Sequence, residues 1–178
     1  MEEIKYSGKI IEVVQFKNGD RVFEKARRSP GVRALIVSGE RILLSKEYRT
    51  EIGGFDFRLP GGKVFDRLEE YKQHISEDLI SYAKEAVKKE VREEVGLLVN
   101  DPKLLKVSKA GATVEWDLYY FLISDFEVNK KGQELEDGED ISFSWYTLKE
   151  VEGICTRGRM QEDRSVGVVL SYLIKKKV

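Results

Sequence analysis

The sequence predicts an α/β fold: a mixed β-sheet sandwiched between α-helices, preceded by a small antiparallel β-hairpin unit. Three observations carry this. Asn18-Gly19 separates two β-type runs, residues 9–16 and 21–27, a strong hairpin signal. Two further apolar runs, residues 32–37 and 41–49, meet at Gly39-Glu40. Ala83, Ala86, Val87, Val91 and Val95 then recur at three- and four-residue steps, and Gly96 supplies a helix stop.

The remaining elements follow in order. Ser29-Pro30-Gly31 breaks the chain after the hairpin, which sets an N-terminal unit at residues 1–28 and a main domain at 29–178. A loop over residues 50–55 carries Gly53-Gly54 and leads to a short strand at 56–59. Leu68, Tyr71, Ile75 and Leu79 are spaced by three or four residues and predict an extra helix within residues 65–80. His74, the only histidine, lies among Lys, Gln and Ile and reads as a surface residue. Residues 104–108 and 113–126 read as strands, the second rich in Trp116, Tyr119, Tyr120 and Phe121. An acidic, glycine-bearing loop at 129–140 precedes a strand at 141–146. A short helix from Leu148 and a longer one over 162–176 close the chain.

Composition narrows the function. The 178 residues suffice for one domain with a sizeable core. With 31 basic and 32 acidic residues the net charge is −1, so no basic field points to nucleic acid or an anionic membrane. The N-terminus lacks the apolar core of a signal peptide, and no apolar run is long enough to span a bilayer. Cys155 is the only cysteine, which excludes an intrachain disulfide and makes a reducing cytoplasm the expected location.

The helix at 83–95 carries the chemistry. At about 100° per residue, Glu90, Glu93 and Glu94 fall within an arc of about 100° that they share with the small apolar residues. Lys84, Glu85, Lys88, Lys89 and Arg92 take the outer face. A solvated surface explains the lysines and fails for the three glutamates. Carboxylates converging on an inner face repel unless a cation neutralises them. Hard oxygen ligands on a rigid helix suit Mg²⁺ or Mn²⁺.

These residues resemble the Nudix hydrolases, whose box reads G-x5-E-x7-R-E-U-x-E-E-x-G-U with U aliphatic. Residues 90–97 match the E-U-x-E-E-x-G-U half at every position, and Gly62 matches the opening glycine. Two departures stand out. Lys89 replaces the arginine, keeping the charge and losing the bidentate fork. The usual spacing would put the first glutamate at 68, whereas the matching place is Ser81, so the box at 62–97 carries 13 extra residues. An alternative alignment gives that role to Glu77, Asp78 or Glu85.

The order of hairpin, strand pair ending Glu47-Tyr48-Arg49, glycine loop and Arg58-Leu59-Pro60-Gly61-Gly62 is similar to one branch, the ADP-ribose and nucleoside-diphosphate-sugar pyrophosphatases. The resemblance implies a homodimer built with the N-terminal unit. It implies metal ligation by Glu90, Glu93, Glu94 and the Gly61 carbonyl, and substrate contact at Arg49 and near Gly62. Arg27 and Arg28 are further phosphate candidates by placement. The branch's Ser-Pro-Gly-x-Ser/Thr-x-Glu motif survives as Gly111, Thr113 and Glu115, with Lys109 and Ala110 departing from it. Glu115 is thereby a candidate for metal or substrate binding, and a plain strand-start glutamate fits equally. Trp116 reads as core or as a stacking surface for adenine.

In that branch the acidic loop brings the carboxylate that activates water. Glu139 is the first choice for that base, followed by Asp137 and Glu136, with Glu93 also in the catalytic set. The expected reaction is Mg²⁺-dependent hydrolysis of a pyrophosphate bond in a small nucleotide, ADP-ribose or a nucleotide sugar, giving a nucleoside monophosphate and a sugar phosphate. Dinucleoside polyphosphates or nucleoside triphosphates are the alternative substrates. A non-catalytic nucleotide-binding module is the alternative class, and Lys89 and Ser81 are the residues that would suit it.

Overall fold

A computed structural model describes residues 2–50, 52–135, 138 and 140–176. Its centre is a six-stranded mixed sheet. The strands are β4 (Gly31–Ser38), β5 (Arg41–Arg49), β6 (Gly54–Arg58), β8 (Lys103–Ser108), β10 (Leu118–Ile123) and β12 (Ile141–Thr147). The order is β12-β5-β4-β10-β8, with β6 also on β5. Only β10 runs parallel to its neighbour β4; the other pairs are antiparallel. Strands buried on both faces read as continuous apolar runs, and β4 does so from Val32 to Val37 apart from Arg33.

Alternation splits those side chains between two layers. Val32, Ala34, Ile36, Leu43, Tyr119, Phe121 and Ile123 face helix α2 (Ile80–Val95), whose Ala83, Val87, Val91 and Val95 are buried against them. Leu35, Val37, Ile42, Leu44, Leu118 and Tyr120 face the opposite way, toward α3 (Leu148–Thr156) and α4 (Asp163–Lys176). The expected sandwich is therefore present, and α3 starts at a capping box between Thr147 and Glu150.

The N-terminal part forms a second sheet. β1 (Glu2–Ser7), β2 (Ile11–Asn18) and β3 (Arg21–Arg28) are antiparallel, and the two-residue β9 (Val114–Glu115) adds in parallel to β3. Asn18 pairs with Arg21, so the hairpin turns on Gly19-Asp20, one residue later than the Asn-Gly signal implies, with Gly19 at φ 61°. β1 was not expected. Its six residues are all exposed, and the only alternation in it is Ile4 and Tyr6 among Glu3, Lys5 and Ser7.

The expected strand over 113–126 is divided. Val114–Glu115 belongs to the N-terminal sheet and Leu118–Ile123 to the central one, while β11 (Phe126–Val128) pairs with β7 (Leu97–Val99). The break falls at Trp116-Asp117, where the Asp117 carbonyl accepts from Gly31 N–H at the start of β4. The inserted segment holds only a two-turn helix, α1 (Leu68–His74), and α2 begins at Ile80, three residues before the apolar period starts.

A buried charge cluster ties α1 to the N-terminal sheet. Glu12 is fully buried on β2 and is met by Arg27 at 3.0 Å and Lys72 at 2.7 Å. Arg27 also pairs with Glu2 and Glu115. Burial would raise the Glu12 carboxyl, and hydrogen bonds from Lys72 and Arg27 outweigh it, holding the carboxyl below its ordinary value. Elsewhere, Cys155 is 5% exposed, and burial pushes its thiol up to about 11. No described helix is long and apolar enough to cross a membrane.

Candidate active site

The site begins where β5 leaves β4. The two strands pair only from Ile36/Leu43 to Ser38/Arg41; beyond that, β5 pairs with β6 instead. The vacated edge of β4 is taken by the loop after β6. Ala34 N–H donates to the Pro60 carbonyl at 2.8 Å, Val32 N–H to the Gly62 carbonyl at 3.0 Å, and Val64 N–H to the Pro30 carbonyl at 2.9 Å. Backbone donors that lost a strand partner are thus satisfied by the Leu-Pro-Gly-Gly loop.

Both glycines of that loop are required, for different reasons. Gly61 sits at φ 149°, and a Cβ there would overlap the Val32 carbonyl. At Gly62 the nearest obstacle is a side chain. A Cβ there would strike the Glu90 carboxylate, which lies against its Cα. Gly61 N–H donates to Glu94 Oε2 at 2.9 Å. The loop and the helix therefore hold each other through two of the three glutamates.

Glu90, Glu93 and Glu94 are all half-buried and line one cleft of ≈ 280 Å³ with Gly61 and Gly62. Glu93 accepts from Arg92 Nη2 at 2.8 Å, and Lys89 Nζ stands 3.8 Å from its other oxygen. Arg49 and Glu47 from β5, Arg58 from β6, and Lys63 and Asp66 from the following loop complete the polar walls. Arg49 bonds Glu47 at 3.0 Å, and Arg58 bonds the buried Asp56 at 3.2 Å.

Behind the cleft lies a second pair. Arg33 is buried in β4 and grips Glu162 with two bonds of 2.8 Å. Burial would raise the Glu162 carboxyl, but Arg33, Ser165 and Arg58 bring it down to about 2. This clasp joins β4 and the start of α4 to the wall that carries Arg58.

The acidic loop is moored to the end of α2. Gly96 ends the helix at φ 63°, and a Cβ there would come within 2.8 Å of the Gly132 carbonyl carbon. Glu134 N–H donates to the Glu93 carbonyl at 2.9 Å, and Gln133 Nε2 donates to the carbonyls of Glu94 at 2.6 Å and Ile141 at 3.1 Å. The candidate bases Glu136, Asp137 and Glu139 lie outside the described residues.

Two expected substrate residues are not brought to the cleft within this chain. Arg28 stacks its guanidinium over Trp116 at 4.4 Å, and Arg164 covers the same indole at 4.3 Å. Burial, then Arg33 and Arg164, lower the Arg28 pKa. Trp116 packs partly buried against the core. Glu115 is engaged by Lys25 at 2.6 Å and Arg27 at 2.8 Å in the N-terminal sheet. Conversely, Arg58, Lys63, Asp66 and Glu47 line the cleft and were not singled out from sequence. Arg58 stood next to Leu-Pro-Gly-Gly, which was the available signal; Lys63 and Asp66 carried none.

The donor set suits a hard divalent cation: carboxylate oxygens from one helix, a glycine backbone at contact distance, and cationic walls for a polyanion. Among the described residues no three of His, Cys, Asp and Glu are gathered into a complete cage. A cation here would also draw on water and substrate oxygens, as Mg²⁺ prefers.

Comparison with known proteins agrees with this geometry. No curated protein matches the chain. The fold is similar to that of a solved structure described as an ADP compounds hydrolase, with a TM-score of 0.72 at 19% identity, covering 99% of this chain and 90% of that one. The NUDIX domain family model matches residues 27–166, which takes in the cleft, the helix with its three glutamates and the acidic loop. The chain belongs to the Nudix family and is a Nudix pyrophosphohydrolase.

Proposed function

We infer that the protein hydrolyses the pyrophosphate bond of a nucleoside diphosphate linked to a second moiety, ADP-ribose or a nucleotide sugar. The products are a nucleoside monophosphate and a sugar phosphate. One observation carries the reading: the three helix glutamates, the glycine loop and the cations Arg49, Arg58, Lys63 and Lys89 line a single cleft. A pyrophosphate needs such a wall of positive charge beside carboxylates that can hold a metal.

Glu90, Glu94 and the Gly61 carbonyl would hold Mg²⁺ or Mn²⁺, with Glu93 joining directly or through water. When bound, the metal supplies positive charge to the phosphates and lowers the pKa of water. The chain's own groups do the rest. Arg49 and the neighbouring cations orient the pyrophosphate. A carboxylate of the acidic loop, Glu139 first and then Asp137 or Glu136, takes a proton from the attacking water. The water oxygen bonds to one phosphorus, the bridging P–O bond breaks, and the bridging oxygen leaves with the other phosphate. Arg28 and Glu115, outside the cleft, belong to this reading only through the N-terminal sheet, Arg28 at the end of β3 and Glu115 on β9 beside it.

That unit, residues 1–28, is assigned to a homodimer. Its exposed Ile4, Tyr6, Val22 and Phe23 favour a covered sheet. A cytoplasmic location rests on the single buried thiol. Neither nucleic acid nor membrane is a partner in this reading.

The test is a Mg²⁺- or Mn²⁺-dependent assay on ADP-ribose, nucleotide sugars, dinucleoside polyphosphates and nucleoside triphosphates, with products resolved. AMP and ribose 5-phosphate from ADP-ribose fix reaction and substrate together. Glu94→Gln should lower turnover by about 100-fold or more, since even outer-sphere partners of a metal are worth 10–100-fold. Turnover near the parent level in Glu94→Gln would remove the metal assignment.

A further inference from the structure

The 13 residues inserted between the glycine loop and α2 build a cavity that the hydrolytic cleft does not use. Its volume is ≈ 580 Å³, and Phe65, His74, Tyr82 and Ala86 form its walls. The insertion is folded for itself: Phe65, Leu68 and Tyr71 make a small separate core. The rings on the cavity side are fixed. Phe65 and His74 stack at 5.5 Å with planes 8° apart, and Tyr82 leans on them at 5.3 and 4.8 Å. Tyr82 Oη donates to Glu77 at 2.8 Å, and His74 Nδ1 lies 3.0 Å from the same carboxylate.

This cavity adjoins the cleft. Lys63, Asp66 and Lys89 line both. Two lysines at a shared border sit where a phosphate would end and the group attached to it would begin. Beyond them the wall turns aromatic and apolar, which suits a flat ring better than a polyhydroxylated sugar. At position 81 the side chain is a serine, small enough to leave the space open, and Ser81, Glu70 and Glu85 in the lining offer acceptors for exocyclic amines.

We propose that this pocket is the nucleobase subsite, so that the inserted segment sets which nucleoside the enzyme takes. The assignment rests on the hydrolase reading for its orientation, with the pyrophosphate in the cleft and the base under α1. It makes Tyr82 a specificity determinant, with Phe65 holding it from the small core behind, and neither has a part in the bond-breaking step.

The experiment is equilibrium binding, measured by calorimetry on the full-length, metal-free protein and therefore independent of turnover. Probes are ADP, GDP, UDP and CDP, with inorganic pyrophosphate as the base-free reference. At least one nucleoside diphosphate should bind 10-fold or more tightly than pyrophosphate. Ala86→Phe, which fills the pocket, and Tyr82→Ala, which removes a wall, should each erase most of that advantage and leave pyrophosphate binding unchanged. The proposal is overturned if no nucleoside diphosphate exceeds pyrophosphate, or if both variants bind them as the parent does. Hydrolysis of the substrate panel with unaltered base binding in the variants would keep the proposed function and remove the subsite. Base binding lost in the variants with no turnover by the parent would do the reverse.

Discussion

Gly61 and Gly62 are adjacent, and their substitution to alanine should fail in opposite ways. At Gly61 the obstacle is backbone, the Val32 carbonyl, and φ is 149°. Gly61→Ala should cost about 1–3 kcal/mol of stability, read as a lowered Tm. At Gly62 the obstacle is the end of a flexible side chain, the Glu90 carboxylate. Gly62→Ala should keep Tm within a few degrees and lose activity by about 100-fold, the scale of a misplacement of about 1 Å. A Gly62→Ala enzyme that is unstable yet fully active at low temperature would contradict this division. The three glutamates could be found from sequence because helical geometry alone puts them on one arc. Lys63 and Asp66 could not, and Arg58 had only its place beside Leu-Pro-Gly-Gly as a signal. They reach the cleft because β5 abandons β4, a parting of strands that leaves no mark in the residues themselves.

At the scale of elements, α2 and the acidic loop act as one piece. Gly96 both ends the helix in the left-handed region and lets the chain at Gly132 close on it. Gly96→Ala should destabilise the fold by about 1 kcal/mol or more and loosen the loop held by Gln133 and Glu134. The check is a thermal melt together with amide exchange at residue 134, whose N–H bonds the Glu93 carbonyl and should exchange faster beyond the global change. Helices and most central strands were readable because their apolar periods are long. The stretch 113–126 misled for a physical reason. Its aromatic run continues across Trp116-Asp117, where the chain passes from one sheet to another, and hydrophobicity does not record a change of sheet.

Across the whole molecule, buried charge pairs reinforce the joints between layers. Arg33 and Glu162 tie the central sheet to α4, and Glu12 with Arg27 and Lys72 ties the N-terminal sheet to α1. Each carboxyl is held below its ordinary value, so its contribution is complete above the unfolded pKa near 4.5 and is lost as pH falls. For Glu162, with a folded value of about 2, the loss spans about pH 4.5 to 2 and amounts to roughly 3 kcal/mol. Glu162→Gln should be less stable at pH 7 by a similar amount, because Arg33 stays buried without its partner, and should show a flatter acid limb in denaturant titrations. An unchanged acid limb would move the origin of acid lability elsewhere. Nothing in the sequence reading singled out Arg33, whose partner lies 129 residues away in the chain. The buried state of Cys155 has a practical corollary. With its thiol enclosed and titrating near 11, a cysteine introduced at the exposed Asp140 would be the one readily alkylated site at neutral pH. A spin label or fluorophore placed there would report on substrate or metal entering the neighbouring cleft without interference from a second thiol.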